Sequence, residues 1–344
     1  MKSRIHLALL LCALIWTPLG AAGDLRIYFI DVEGGQSTLI VTPSGQSLLV
    51  DAGYADPKGR DPRRILAAAK DAGVEKIDYL FITHFHADHI GGVAELQRQI
   101  DIGAVIDHEN ITGSDVTVVK PFESYATARK RIKQHIAAKL GDRLPLSDVD
   151  TVIVSNKGDA LKQPLPGAGE RNATCSPNAQ APHDVVENPR STGFWLRFGQ
   201  FRFLDLGDLT GKPLHALACP NDMIGPIDLY LVPHHGNDDV TDPAVYAAFK
   251  PRVLVVNNGG EKGGGNDFLK ALRKMDGIDG YWLLHRPAGR GAEKFPEAQI
   301  ANRDNSTAHW FKVTAKEDGS FTIINGRTGA GKAYPSVSAR TEER

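Results

Sequence analysis

Cysteine is scarce in this sequence, with three residues among 344. Cys12 lies in an apolar stretch near the N-terminus, so only Cys175 and Cys219 occur in the rest of the chain. The separation and the neighbours of these two cysteines match no zinc-binding cysteine pattern, which excludes a cysteine-based zinc site. A structural disulfide and two idle thiols both stay open, because sequence alone does not show how close two Cα atoms come.

The sequence also has almost no net charge and few long apolar runs. The formal net charge is -1, which excludes a general polycation that grips nucleic acid. No basic patch with interleaved aromatic residues is visible either, so a nucleic acid partner has no support from charge. The bulk charge does not exclude an anionic substrate, because bound metal ions can supply local positive charge.

The one sustained apolar run, His6–Trp16, is too short for the ~20 residues that span a bilayer. Lys2 and Arg4 precede the run, and the small residues Gly20, Ala21 and Ala22 follow it. This order is typical of a signal peptide with cleavage after Ala22. We therefore predict that residues 1–22 are removed and that the protein is exported, periplasmic or secreted, with no membrane segment in its mature form.

The remaining chain alternates short β-branched runs with helical patterns, which predicts an α/β layered domain. We assign residues 23–328 to one domain, with residues 141–190 as a long loop insertion and residues 329–344 as a flexible tail. Two of the predicted helices cover residues 90–99 and 121–140. Functional residues are expected on the loops at the strand ends.

One of these strand ends carries four potential metal ligands within six residues. A buried strand at 78–82 leads directly into His84-Phe85-His86-Ala87-Asp88-His89. In a tight turn, His84 and His86 can converge on one ion while Asp88 and His89 reach a second. Imidazole and carboxylate are the ligands that zinc prefers where thiolate is absent. Packing alone explains this spacing poorly, so the motif predicts a metal site.

The segment HFHADH resembles the HxHxDH signature of the metallo-β-lactamase superfamily, and other segments follow in the order of that family. They are IYFIDVEGGQSTLIV with Asp31, LLVDAG with Asp51, FRFLDLGDLTG with Asp208, and DLYLVPHHG with His234 and His235. The resemblance implies an αββα sandwich, in which helices flank two mixed β-sheets. Within the superfamily, the segments are most similar to ComEC-type competence hydrolase domains.

The resemblance also implies a ligand set for two divalent metal ions, with zinc expected. His84 and His86 would bind the first ion. Asp88, His89 and His235 would bind the second, and Asp208 would bridge the two ions. Asp51 would orient a ligand histidine, as such outer carboxylates do in metal sites. Asp31 is predicted either to share that role or only to bond turn backbone groups.

The third histidine of the first metal is where the sequence departs from the family. His183, Glu187 and Asn188 are the candidates for that position, and His108 is a weaker one. An Asn or Glu ligand would suit a harder metal such as manganese. His285 and His309 rank low, because most isolated histidines have no catalytic role.

The expected reaction is hydrolysis by a hydroxide that the two metal ions hold and activate. Asp88 would also orient this nucleophile, and His234 would protonate the leaving group. The resemblance favours a phosphodiester or phosphoester substrate, either a small molecule or a polymer. An amide or ester, including a β-lactam, is the alternative, and a non-catalytic binding protein with a decayed site is the second alternative. The sequence predicts no oligomeric state.

Overall fold

A computed structural model of the protein describes residues 23–176, 187–288 and 295–337. The predicted signal peptide and the candidate ligand His183 lie outside the described residues. Within those residues the chain forms an α/β sandwich of two mixed sheets with helices, as predicted. None of the described helices has the length and the apolar character that a membrane crossing requires.

Seventeen strands occur in the described part of the chain. They are β1 (Leu25–Phe29), β2 (Thr38–Val41), β3 (Ser47–Val50), β4 (Lys76–Phe81), β5 (Asp101–Asp107), β6 (Gln134–Ala137), β7 (Asp150–Asn156), β8 (Asp159–Ala160), β9 (Gly193–Phe198), β10 (Phe201–Asp205), β11 (Leu229–Leu231), β12 (Val253–Val256), β13 (Gly280–His285), β14 (Ile300–Asn302), β15 (Phe311–Ala315), β16 (Phe321–Asn325) and β17 (Gly331–Tyr334).

Seven α-helices accompany the strands within the same described ranges. They are α1 (Arg60–Ala72), α2 (Ala87–Ile90), α3 (Val93–Leu96), α4 (Val116–Arg129), α5 (Gly211–Ala216), α6 (Pro243–Phe249) and α7 (Asn266–Leu272).

The strands form two sheets, each with a parallel and an antiparallel part. The first sheet has the order β17-β16-β15-β1-β2-β3-β4-β5-β6, and the strands from β3 to β6 are parallel. The second sheet has the order β14-β13-β12-β11-β10-β9-β7-β8, and the strands from β10 to β14 are parallel. The carboxyl ends of parallel strands meet at one edge of each sheet, which gathers their loops.

Three hydrophobic clusters bury the faces of the two sheets. In β1, Ile27 and Phe29 pack in the cluster between the sheets, whereas Tyr28 packs in the cluster on the outer face of the first sheet. Side chains from α1 and α4 complete that outer cluster. Side chains from α5, α6 and α7 cover the outer face of the second sheet. Because successive side chains point to opposite faces, a strand buried on both faces reads as a continuous apolar run.

Two predicted helices differ from the structure. The helix expected at residues 90–99 is instead the pair α2 and α3, because the backbone N–H of Gly92 bonds the carbonyl of Gly53 at 3.1 Å rather than continuing a helix. The helix expected at residues 121–140 begins earlier, where the side chain of Asp115 accepts a hydrogen bond from the backbone of Thr117. It ends at Arg129, and β6 then pairs with β5 at the edge of the first sheet.

Two segments expected to be irregular contain strands. The expected loop at 141–190 includes β7, which pairs with β9 and buries most of its side chains. The expected tail from residue 329 includes β17, which pairs with β16. Tyr334 is buried there and stacks on Phe321 with ring centroids 4.7 Å apart. The partner of β7 is distant along the chain, whereas β17 forms a hairpin with β16 and buries a single aromatic side chain. Local sequence patterns reveal neither feature.

Cys175 and Cys219 form a disulfide, which decides the question that the sequence left open. Their Cα atoms lie 5.8 Å apart, and 44 residues separate them along the chain. The bridge ties the segment before residue 177 to the end of the α5 region, where Asn172 also bonds the carbonyl of Ala218 at 3.0 Å.

Replacing the bridge with Cys175→Ser and Cys219→Ser together is expected to lower the free energy of unfolding by about 2–4 kcal/mol, because the unfolded chain regains the entropy of an open loop. Urea unfolding measures this change. The wild-type protein with a reducing agent should match the double variant, and the double variant should not respond to the agent. Equal midpoints for both proteins without the agent would show that the bridge contributes nothing.

Candidate metal centre

The candidate ligands meet where strands of both sheets end. The strand β4 of the first sheet leads into the HFHADH segment. In the second sheet, β10 leads to Asp208 and β11 leads to His235. Each ligand follows directly on a buried strand, so the two packed sheets determine where it lies.

Two groups of side chains have the geometry to hold a metal ion. Asp88, His89, Asp208 and His235 form one group, and His84, His86 and Asp208 form the other. Within each group, one ligand atom from every residue lies within 4.8 Å of the others. The six ligands predicted from the sequence therefore come together, and they divide between two positions as the resemblance implied.

Asp208 belongs to both groups, and its Oδ2 atom lies between them. This oxygen is 3.2 Å from Nε2 of His235, 3.3 Å from Nε2 of His89 and 3.8 Å from Nε2 of His84. The Asp208 carboxylate is almost completely buried. A buried carboxylate among imidazoles from two ligand groups is the arrangement that a bridging ligand of two metal ions requires.

The remaining ligand atoms also face one another. Nε2 of His84 lies 2.9 Å from Nδ1 of His86, and Nε2 of His235 lies 3.1 Å from Oδ2 of Asp88. Two imidazole nitrogens that face each other share at most one proton, whereas both can donate a lone pair to a metal ion. The donor set of imidazoles and carboxylates without thiolate fits zinc and other divalent ions.

The protonation of these groups favours metal binding. Burial and the nearby His89 hold the pKa of His84 well below its usual range, and burial also lowers the pKa of His86. Burial would raise the pKa of Asp208, but His235 and His89 hold it well below its usual range. These residues thus have the neutral imidazole and ionised carboxylate forms that coordinate a metal.

His89 behaves differently from the other histidines. Burial would lower its pKa, but the carboxylates of Asp208, Asp88 and Asp51 raise it well above the usual value. A metal ion needs the unprotonated Nε2 atom of His89, so binding displaces a proton from this residue.

Asp51 braces the HFHADH segment with both carboxylate oxygens. Oδ1 accepts a hydrogen bond from the backbone N–H of Thr83 at 2.9 Å, and Oδ2 accepts one from the Thr83 hydroxyl at 2.7 Å. Oδ2 also lies 2.7 Å from Nδ1 of His89. The last contact directs Nε2 of His89 toward Asp208, which is the orienting role predicted for Asp51.

Asp31 does not contact the candidate ligands. Its Oδ1 atom lies 2.6 Å from Nε2 of His285 and also accepts a hydrogen bond from the backbone N–H of Glu33. Its Oδ2 atom accepts a hydrogen bond from Arg64 at 2.9 Å. Asp31 therefore bonds turn backbone and a separate buried cluster, and the structure gives it no contact with a ligand histidine.

Of the candidates for the third ligand of the first metal, Glu187 and Asn188 lie in the described part of the chain, and neither belongs to the two ligand groups. The Oε1 atom of Glu187 accepts a hydrogen bond from the backbone of Phe85 at 3.0 Å and lies 3.2 Å from Nε2 of His108. Glu187 and His108 thus form a buried pair behind the HFHADH segment. Nδ2 of Asn188 lies 3.2 Å from Nε2 of His234.

His234 lies beside the ligand group rather than in it. Its Nδ1 atom is 2.8 Å from Oδ2 of Asp239, and its Nε2 atom faces Asn188. The ring of His234 is 6.1 Å from the ring of the ligand His235. The structure thus places His235 in a ligand group and His234 outside both groups.

Three residues near the ligands escaped the sequence analysis. Nζ of Lys262 contacts Oδ2 of Asp88 and lies 3.2 Å from the hydroxyl of Tyr54. Burial would lower the pKa of Lys262, but the carboxylates of Asp88 and Asp208 raise it, so this side chain is a cation. Asp205 is buried below the ligands, and burial raises its pKa to about 7. The glycine-rich loop after the buried strand β12 is the sequence feature that could have indicated Lys262.

Comparison with known families agrees with this geometry. The family model described as the metallo-beta-lactamase superfamily matches residues 30–166. This match covers 137 of the 344 residues and is a similarity of that part of the chain to the superfamily. The match contains the HFHADH segment and Asp51, and the αββα sandwich predicted from the resemblance to this superfamily is confirmed.

Individual relatives cover parts of the chain. The anti-Pycsar protein Apyc1 of Bacillus phage BSP38 is 28% identical in an alignment of length 134 that covers 30% of this chain and 50% of that protein. A UPF0173 metal-dependent hydrolase of Staphylothermus marinus is 26% identical over 138 residues, which are 39% of this chain and 48% of that protein. The chain therefore spans about half the length of these curated relatives.

A solved structure of a metal-dependent hydrolase of the β-lactamase superfamily is also similar. It is 13% identical in sequence and has a TM-score of 0.43, over 75% of this chain and 95% of that chain. The family match implies divalent metal ions, and the described residues supply a site for them.

Asp51→Asn is expected to weaken metal binding about 10- to 100-fold, because an amide nitrogen cannot accept the proton of His89 Nδ1. Isothermal titration with zinc measures the affinity. Asp31→Asn is the matched control, since it makes the same change at another buried aspartate of the first sheet that contacts no ligand. Equal zinc affinities for Asp51→Asn and the wild-type protein would refute the orienting role of Asp51.

Proposed function

We propose that this protein is a metal-dependent hydrolase that uses two divalent metal ions, zinc in the first instance, on a phosphodiester or phosphoester. The observation that supports this function most strongly is the shared position of Asp208. Its Oδ2 atom lies within 3.8 Å of imidazole nitrogens from both ligand groups. Paired metal sites of this kind serve phosphatases and nucleases, whose reactions place charge on both the attacking and the leaving oxygen.

The protein residues have separate tasks in this reaction. His84 and His86 would hold the first ion, Asp88, His89 and His235 would hold the second, and Asp208 would contact both. When bound, the ions supply an activated water nucleophile at neutral pH and stabilise the charge that develops on the substrate oxygens. Asp88 is buried, and His89 and His235 hold the pKa of its carboxyl group well below the usual range. The resulting carboxylate can accept a hydrogen bond from the nucleophile and orient it.

His234 is the proposed donor of a proton to the leaving group. The Asp239 carboxylate lies 2.8 Å from Nδ1 and holds the ring in one orientation. The other ring nitrogen, Nε2, lies 3.2 Å from Nδ2 of Asn188. A histidine whose one ring nitrogen is held by a carboxylate can exchange a proton at the other nitrogen.

Two further features support the phosphoester reading over the hydrolysis of an amide or ester. The sequence segments resemble ComEC-type competence hydrolase domains, and a lysine cation lies at the ligand group. The near-zero net charge gives no support to a nucleic acid polymer, so a small phosphoester is the first substrate to test. The non-catalytic alternative is disfavoured, because all six predicted ligands are grouped.

We also propose that the protein is exported to the periplasm or the medium. The disulfide between Cys175 and Cys219 supports this, because such bonds persist in oxidising compartments. The pattern of residues 1–22 supports it independently.

The export proposal predicts that protein recovered from a periplasmic extract or from the medium begins at Gly23. Intact-mass measurement determines this N-terminus. Leu10→Arg places a charge within the apolar run and is expected to leave the full-length chain inside the cell. An unprocessed wild-type chain found only inside the cell would contradict export.

His86→Ala is expected to lower the kcat/KM of the zinc-loaded protein for bis(p-nitrophenyl) phosphate by about 100-fold or more, because a direct ligand is lost. Release of p-nitrophenolate measures the rate, and elemental analysis measures bound zinc. His309→Ala is the matched control, since it removes a partly exposed histidine outside the ligand groups.

The same assay decides between the proposed substrates. Turnover of the β-lactam nitrocefin or of p-nitrophenyl acetate alone would replace the phosphoester proposal with amide or ester hydrolysis. Less than one bound zinc ion per chain, with no turnover of any of these compounds, would identify a non-catalytic protein.

A further inference from the structure

A glycine-rich loop after β12 reaches the candidate metal centre from the second sheet. Five of the seven residues from 259 to 265 are glycine. The backbone N–H of Gly264 bonds the carbonyl of the ligand His235 at 2.9 Å, and that of Gly265 bonds the carbonyl of Gly236 at 2.8 Å. Two backbone hydrogen bonds therefore hold the loop against the segment that carries the candidate ligand His235.

The loop lies so close to the ligand segment that larger residues would not fit. Gly263 has a φ of 76°, and a Cβ atom there would lie 2.4 Å from the carbonyl oxygen of His235. On the other side, a Cβ atom at Gly34 would lie 2.9 Å from the Cβ atom of Lys262. Glycine at these two positions permits the close approach that places Lys262 beside the ligands.

The ammonium group of Lys262 lies at the edge of the second ligand group. It contacts Oδ2 of Asp88 and lies 3.2 Å from the hydroxyl of Tyr54. An ammonium group has three N–H donors, and these two contacts use two of them. Solvent reaches 36% of the Lys262 side chain, so this residue lies at the surface of the site.

The other nearby cations are engaged elsewhere. Arg60 pairs with Glu33 and Asp61, and Arg64 pairs with Asp31 and Glu33. The described residues thus present Lys262 as the cation directly against the ligand groups. Once divalent ions neutralise Asp88 and Asp208, the charge of Lys262 is available for another anion.

We propose that Lys262 binds an anionic oxygen of the substrate and thereby selects phosphate-containing substrates over neutral esters and amides. This inference rests on the proposed hydrolase function, which it deepens by naming the group that recognises substrate charge. A phosphodiester keeps a negative charge on its non-bridging oxygens, and an ammonium group forms a charge-assisted hydrogen bond with such an oxygen. A neutral ester or amide gains much less from this contact.

Binding of inorganic phosphate to the zinc-loaded full chain tests the contact without any turnover. Lys262→Met removes the charge at similar length and is expected to raise the phosphate dissociation constant about tenfold, the loss of one charge-assisted hydrogen bond. Lys262→Arg keeps the charge and should stay much closer to the wild-type value. Lys270→Met is the matched control, since it removes the same charge from an exposed lysine of α7.

Two substrates with the same leaving group test the selectivity. Lys262→Met is expected to lower the ratio of kcat/KM for anionic bis(p-nitrophenyl) phosphate to kcat/KM for neutral p-nitrophenyl acetate by about tenfold. A purely structural role would lower both rates and leave their ratio unchanged. Zinc content and thermal unfolding are measured for each variant, and Lys262→Gln, which also removes the charge, carries the test if Lys262→Met does not fold.

The outcomes separate this inference from the proposed function. Unchanged phosphate affinity and an unchanged substrate ratio in zinc-loaded Lys262→Met would overturn the role of Lys262 and leave the hydrolase proposal standing. Phosphate binding that depends on Lys262, without turnover of any substrate by the wild-type protein, would support the anion contact and refute the proposed function.

Discussion

The buried carboxylate of Asp208 is the point on which the structure of this protein depends. It lies among imidazoles carried by both sheets, since His84 and His89 follow β4 and His235 follows β11. A buried charge without partners costs several kcal/mol, so the two sheets must pack in one relative position to keep it paired. The geometry of the candidate metal centre therefore depends on how the two sheets pack, because the core between the sheets sets the distances between the candidate ligands.

Strain and polar networks concentrate around the same point. Asp51, His234 and His235 all have positive φ angles, which non-glycine residues rarely adopt. Surrounding contacts hold them there, such as the three hydrogen bonds of the Asp51 carboxylate. Strained backbone of this kind accumulates at functional sites because the position of a side chain matters more there than local stability.

A second connection between the sheets lies beneath the ligands. Nε2 of Gln36, from the first sheet, lies 3.1 Å from both carboxylate oxygens of Asp205 at the end of β10. Asn257, after β12, donates to Oε1 of the same glutamine at 3.2 Å. Side chains near the ends of three strands thus bond one another below the ligand groups. Hydrogen bonds among Gln36, Asp205 and Asn257 hold these strand ends in fixed positions, and the candidate ligands that follow the strands are positioned with them.

The sequence by itself predicted six candidate ligands and the class of the fold. The spacing of HFHADH places four candidate ligands on one short segment. The continuous apolar run before this segment predicts the buried strand that leads into it. Asp208 and His235 were found through family resemblance. Local patterns failed at β7 because its partner β9 lies far along the chain, and at β17 because that strand is mostly exposed and carries no apolar run.

Only the tertiary structure decided which residues surround those ligands. It directed Asp51 to His89 and Asp31 to His285, although both aspartates follow similar strands of the first sheet. It turned Glu187 toward His108 and brought Lys262 to Asp88 across 174 positions of sequence. The physical reason is that the direction of a side chain at the end of a strand depends on sheet packing and loop path. Residue type and spacing determine what chemistry a side chain offers, and packing determines where that chemistry acts.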